Sequence, residues 1–235
     1  MTGVQTCALP ILDRKIKIRW AGFARNDGRM DLDYIKTLVD SGCTNLLIGV
    51  ESGSQKVLDL IQKKVKVQEI EQNFRDFASV NWLGCGTSWF VGFPGEEHQD
   101  VAHTMTMVWR LRNSGAGTLG FGVCNQNLDT PLFLEADRFN ISNLKFGHNW
   151  ITKDWTNTIA HRAIRYKSVC ILQNHYRLHR VRPEFLGRKC EQSGFDDHYT
   201  LTYDVNNWHN EIPYETDFDF NIIKPEINPL ADSLV

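Results

Sequence analysis

The chain has 235 residues, is 42% apolar and carries a formal net charge of −2. That is an ordinary globular composition, and no apolar run approaches the roughly 20 residues that span a bilayer. Nor does a charged region lead into an apolar core and a small-residue cleavage site at the start, so a cytoplasmic protein without membrane partners is expected.

The first eleven residues, through Ile11, do not read as the start of a domain. They look like a translated sequencing adapter, so residues 1–11 are expected to be non-native and the natural chain to begin upstream of Leu12. From there short β-like runs alternate with longer helical ones. Ile16, Ile18 and Trp20 alternate with Lys17 and Arg19 and predict a first strand. Leu32, Ile35, Leu38 and Val39, ending at Ser41-Gly42, have the spacing and glycine stop of an amphipathic helix.

Residues 45–50 predict a second strand, after which Ser54 is an N-cap candidate for a helix through Val57, Leu58 and Ile61. A helical stripe follows at Val67, Ile70, Phe74 and Phe77. Residues 87–91 predict the third strand, Val101, Met105, Val108 and Leu111 the next helix, and residues 118–123 the fourth strand. This repetition argues for an α/β fold of parallel strands, either a barrel or an open sheet. Residues 153–180 predict one long helix, and the polar, aromatic end is expected to be disordered after Asn221.

In parallel α/β folds ligands bind at the carboxyl ends of the strands, where loops converge and helix N-termini present amide groups. Those ends are Arg25 and Asp27, Glu51 and Ser52, residues 92–96, and residues 124–127. The six cysteines, Cys7, Cys43, Cys85, Cys124, Cys170 and Cys190, stand singly. A loop that aims thiolates at one metal needs at least two of them close together, so the spacing predicts buried free thiols and no metal ligands. His175 and His179 are at helical i,i+4 spacing but lack a companion motif. The slightly acidic balance argues against a nucleic-acid partner, although residues 176–182 are locally basic.

The corners Ile48-Gly49-Val50-Glu51-Ser52-Gly53-Ser54 and Val91-Gly92-Phe93-Pro94-Gly95-Glu96, with Trp20-Ala21, Arg25, Asp27 and Ser41-Gly42-Cys43, resemble the middle of a radical S-adenosylmethionine (radical SAM) core domain. Asp129-Thr130-Pro131-Leu132 is similar to a further element of that family, with aspartate where glycine is usual. The pattern most resembles members that carry an upstream cobalamin-binding domain. The resemblance implies a partial (β/α) barrel of about four strand–helix units over residues 12–141, lacking the family's cluster-binding first part. Residues 142–235 form a mainly helical C-terminal extension of unassigned role.

The complete protein implied is an enzyme that binds S-adenosylmethionine and a 4Fe–4S cluster, draws on an electron donor and acts on an unidentified small molecule. Cobalamin is the further cofactor implied, with methyl transfer or rearrangement as the reaction. The resemblance assigns Arg25, Gly49, Glu51, Ser52, Val91, Gly92 and Asn125 to cofactor binding. Arg25 would pair with the methionine carboxylate, Glu51 and Ser52 would reach ribose or methionine, and Val91 and Gly92 would lie beside adenine. Bland readings stay open: turn glycines at 49 and 92, a solvated Glu51, a surface ion pair at Arg25, and a helix-dipole partner at Glu96. So do two other functions, a non-catalytic half-barrel binding module and an unrelated barrel with phosphate at the 92–96 corner.

Overall fold

A computed structural model describes residues 3–26, 30–80, 85–113, 117–142, 147 and 149–175. Asp27, His179, Cys190 and the expected disordered end lie outside the described residues. Four strands, β1 (Trp20–Arg25), β2 (Cys43–Glu51), β3 (Cys85–Val91) and β4 (Gly117–Val123), form one parallel sheet in chain order. They are joined through α2 (Leu32–Asp40), α3 (Gln55–Leu60), α4 (Val67–Ser79) and α5 (His98–Asn113), with α1 (Gly3–Asp13) before β1. Beyond β4 come a short helix α6 (Pro131–Leu134), a 3₁₀ turn (Ala136–Phe139) and α7 (Ile159–His175). This is the expected partial α/β barrel with a helical C-terminal part.

The helices lie side by side in the order α1, α2, α4, α5, α7 along one face of the sheet. Alternation along the strands decides what each face carries. Ile48, Val50, Trp89, Val91 and Phe121 turn into the helical layer and are buried with Ile35, Leu38, Ile70, Phe74, Met105 and Val108. Phe23, Arg25, Leu47, Gly49, Glu51, Ser88, Phe90 and Gly122 alternate to the other face and are exposed or half-buried, Phe23 most of all at 79%. A second, smaller apolar cluster sits at the carboxyl ends of the strands, built from Val57, Phe93, Cys124, Leu132, Ile141 and Trp150.

Two expectations are corrected here. The alternation at Ile16 and Ile18 is not strand; β1 begins at Trp20 and both isoleucines are exposed. Lys15, at φ 53, ends α1 in a left-handed cap with Lys15 N–H donating to Leu12 O and Ile16 N–H to Ile11 O. The segment to Trp20 therefore leaves a helix end instead of entering the ladder. The long helix expected from residue 153 begins at Ile159, because residues 152–157 form a turn closed by Thr152 N–H donating to Asn157 O.

Two boundaries drawn on the sequence cross continuous packing. Ala8 lies in the main core, and so do Tyr166, Val169 and Leu172 of α7, which covers the β4 side of the sheet.

The β2 corner is tied to α5 by a hydroxyl relay. Thr104 Oγ1 donates to Asp100 O at 2.9 Å, so its lone pairs take Gly53 N–H and the Ser52 hydroxyl, both at 3.0 Å. Ser54 Oγ, the N-cap of α3, donates to Asp100 Oδ1 at 2.6 Å. Thr104→Val keeps the shape but strands Gly53 N–H in the interior; it is expected to cost about 1–3 kcal/mol, read as a lower urea midpoint.

Candidate functional site

The strand register fixes which corner residues meet. Arg25 lies beside Gly49, Gly49 beside Ser88, Glu51 beside Trp89 and Val91 beside Val123, so the ends of β1 to β4 form one rim. The β2–β3 register shifts between Gly49 and Glu51, and Glu51 sits at φ 76. For a residue with a Cβ that conformation costs on the order of 1 kcal/mol and marks a place where backbone is held for a purpose. Its carboxylate folds back over the α-carbon of Gly49, where a Cβ would collide with Oε1. A side chain at residue 49 would displace that carboxylate from Lys63.

Lys63 is the residue the motifs did not mark. Its ammonium lies 3.3 Å from Glu51 Oε1, with its side chain only 8% exposed. The loop that carries it turns through left-handed residues at Gln62 and Lys64. Arg25 Nη2 holds the loop by donating to Gln62 O at 3.1 Å and Lys63 O at 2.9 Å. Arg25, Gly49 and Glu51 thus form one assembly with Lys63. The ion pair rules out an unpartnered, freely solvated Glu51, and Arg25 caps carbonyls.

The other predicted residues divide. Ser52 is wholly buried with its hydroxyl turned toward Thr104, so it supports the corner from behind. Val91 is also wholly buried in the helical layer and offers the rim only backbone, its carbonyl taking Cys124 N–H at 2.8 Å. Asn125 is exposed and lines a cavity of about 460 Å³ between the end of α3 and the segment after β4. The cavity is lined by Leu60, Phe90, Phe93 and Phe139, by the amides of Gln62 and Asn125, and by the Glu135–Arg138 ion pair. Mostly apolar walls with a few polar groups at that size suit a small-molecule ligand.

At Gly92 the backbone has φ 86 and its N–H donates to Glu96 Oε2 at 2.5 Å. Glu96 is not the solvated helix-dipole partner expected; it is buried, with Arg165 Nη1 at 3.5 Å. Desolvation pushes its carboxyl up to about 7, opposed by Arg165 and by the Gly92 N–H. The first-turn acid of α5 that works as a cap is Asp100, which accepts from Glu97 N–H at 2.8 Å.

A 4Fe–4S cluster needs converging thiolates. Among the described residues no three of His, Cys, Asp or Glu form a group that could hold a metal, and Cys43, Cys85, Cys124 and Cys170 are in no disulfide. Burial pushes Cys43 and Cys124 up to about 12 and Cys170 to about 11. The described residues do not fit a cluster. Beside the rim and its paired carboxylate lies the mostly apolar cavity edged by Gln62, Asn125 and the Glu135–Arg138 pair.

Residues 8–108 match the model of the radical SAM superfamily. The chain is also similar to the tRNA-2-methylthio-N(6)-dimethylallyladenosine synthase of Thermoanaerobacter sp. (strain X514), 29% identical over 103 residues. That stretch is 43% of this chain and 22% of that protein, so the chain spans under a quarter of its relative's length. No helix among the described residues is long and apolar enough to cross a membrane.

Glu96 supplies a pH signature. Its folded value of about 7 lies above the ordinary 4.5, so between those values the folded chain binds a proton that the unfolded chain does not. Stability therefore falls as pH rises through that window and levels off above it. Urea midpoints across the window are expected to fall in the wild type and to stay flat in Glu96→Gln; a wild-type midpoint rising with pH contradicts the assignment.

Proposed function

We propose that this chain is the strand-end part of a radical SAM enzyme and binds S-adenosylmethionine across the rim of β1 to β4. The observation that carries the reading is the coincidence of the matched stretch with a rim where Arg25, Gly49, Glu51 and Lys63 are locked together. Arg25, Glu51 and Lys63 take the charged methionine end, Gly49 makes room for the Glu51 carboxylate, and Asn125 with the cavity beside the Gly92 corner takes the adenine. Ser52 and Val91 hold the rim from inside. When bound, S-adenosylmethionine supplies the adenosyl group from which the family's radical chemistry starts. The cluster and electron donor of that chemistry belong to the complete protein, with no step assigned to the residues described.

Cobalamin dependence, with methyl transfer or rearrangement, is the finer form of the proposal, supported by the likeness of the two corners to cobalamin-binding members. One observation favours a second reading, a non-catalytic half-barrel binding module: the cysteines are solitary and inert. Genomic sequence upstream of Leu12 separates the two, since a CxxxCxxC there supports the enzyme.

Calorimetric titration of the chain with S-adenosylhomocysteine tests the shared binding claim. Saturable binding is expected, weakened about tenfold in Glu51→Gln, equivalent to about 1.4 kcal/mol. No binding of either adenosyl compound, with phosphorylated ligands binding at residues 92–96 instead, would sink the proposal.

A further inference from the structure

Every polar group of Gly92 is held by a buried side chain. Its N–H goes to Glu96; its carbonyl accepts from Asn157 Nδ2 at 2.9 Å, and the same amide donates to Phe93 O at 3.1 Å. The space where a Cβ would stand is filled by Arg162, whose Cγ and Cδ come within 2.5 and 2.7 Å of that position. Arg162 is itself fixed: Nη1 donates to Asn157 Oδ1 at 3.0 Å, Nη2 to Trp150 O at 2.6 Å, and the guanidinium lies 3.7 Å from the centre of the Trp150 ring. Asn157, Arg162 and Trp150 are each at most 1% exposed.

This is a costly way to pack a helix. A buried guanidinium must recover the hydration it loses, and an apolar side chain would fill the same volume without that penalty. Near it, Glu96 Oε1 and Arg165 Nε make no hydrogen bond among the described residues. Unsatisfied polar groups concentrated behind one backbone corner mark a place where packing has been subordinated to aim. Gly92 is at φ 86; the peptide before it is held by Cys124 N–H at the Val91 carbonyl and by Glu96 at the Gly92 N–H, and the peptide after it by Asn157 at the Gly92 carbonyl.

We infer that Asn157, Arg162 and Glu96 are positioning residues for the ligand corner at Gly92, so the functional unit reaches past residues 8–108 into the turn before α7. The inference rests on the proposed rim site for its ligand, while its geometry stands on these contacts alone.

Asn157→Asp tests it, because the shape and the Arg162 partner remain while a carboxylate replaces the amide that donates to Gly92 O and Phe93 O. Should that variant not fold, Asn157→Ala removes the amide without adding charge. Val169→Ala, a wholly buried α7 residue away from the corner, controls for lost stability. In the full chain, the Asn157 variant is expected to weaken S-adenosylhomocysteine binding about tenfold, with Val169→Ala staying within about twofold. Amide hydrogen exchange over residues 91–96 is expected to quicken in the Asn157 variant relative to residues 43–51. Equal losses of affinity in both variants, or binding unchanged in the Asn157 variant, overturns the inference. If the wild type binds no adenosyl compound, the proposed function fails by itself, and unchanged exchange at residues 91–96 then overturns the positioning role.

Discussion

Parallel strands in chain order, with α1, α2, α4, α5 and α7 on one side, leave much of the other face of the sheet uncovered among the described residues, and the rest of the molecule follows from that asymmetry. Parallel sheets are ordinarily buried on both faces. Here Phe23, Leu47 and Phe90 stand on the other face; Leu47 and Phe90 are half-buried, but Phe23 is 79% exposed, and a large apolar side chain left in water forgoes about 1.5–3 kcal/mol. That cost is intelligible if the face is the inner wall of a barrel, where a ligand or further chain takes the place of helices. The same asymmetry explains the rim: with the helical layer behind it, each strand end can be braced from one side and left open on the other.

The bracing follows one pattern at two corners. At β2, Ser52 and Gly53 are tied to Thr104 of α5, and on the open side Glu51 meets Lys63. At β3, Gly92 is tied to Glu96, Asn157 and Arg162, and on the open side lies the aromatic cavity. The left-handed backbone at Glu51 and the buried charge cluster behind Gly92 are both local departures from ideal packing. Both fall at the rim, which is where a binding site can use them.

The helices and strands were legible in the sequence because their signal is periodic burial: Ile35 and Leu38, Ile70, Phe74 and Phe77, Met105 and Val108 all face the core as spaced. Ser54 was legible as an N-cap for the same local reason. What was not legible depended on long-range partners. Ile16 and Ile18 alternate like a strand, but a helix cap at Lys15 takes the backbone elsewhere. Lys63 sits in no motif and acquires its role only when β1 supplies Arg25 beneath its loop. Ser52 reads as a rim hydroxyl until Thr104 claims it, and Glu96 reads as a surface acid until α7 buries it beside Arg165. Of the cysteines read as buried thiols, Cys43, Cys85 and Cys124 are buried and Cys170 is half-buried.

The central claim is that the open rim of β1 to β4 receives an adenosyl ligand. Amide chemical shifts of the isotope-labelled chain, followed on addition of S-adenosylhomocysteine, test this directly. The account predicts perturbations concentrated at Arg25, Gly49, Glu51, Gly92 and Asn125, with α2, α4 and α5 silent. Shifts confined to the helical face, or a spectrum unchanged at saturating ligand, would contradict it.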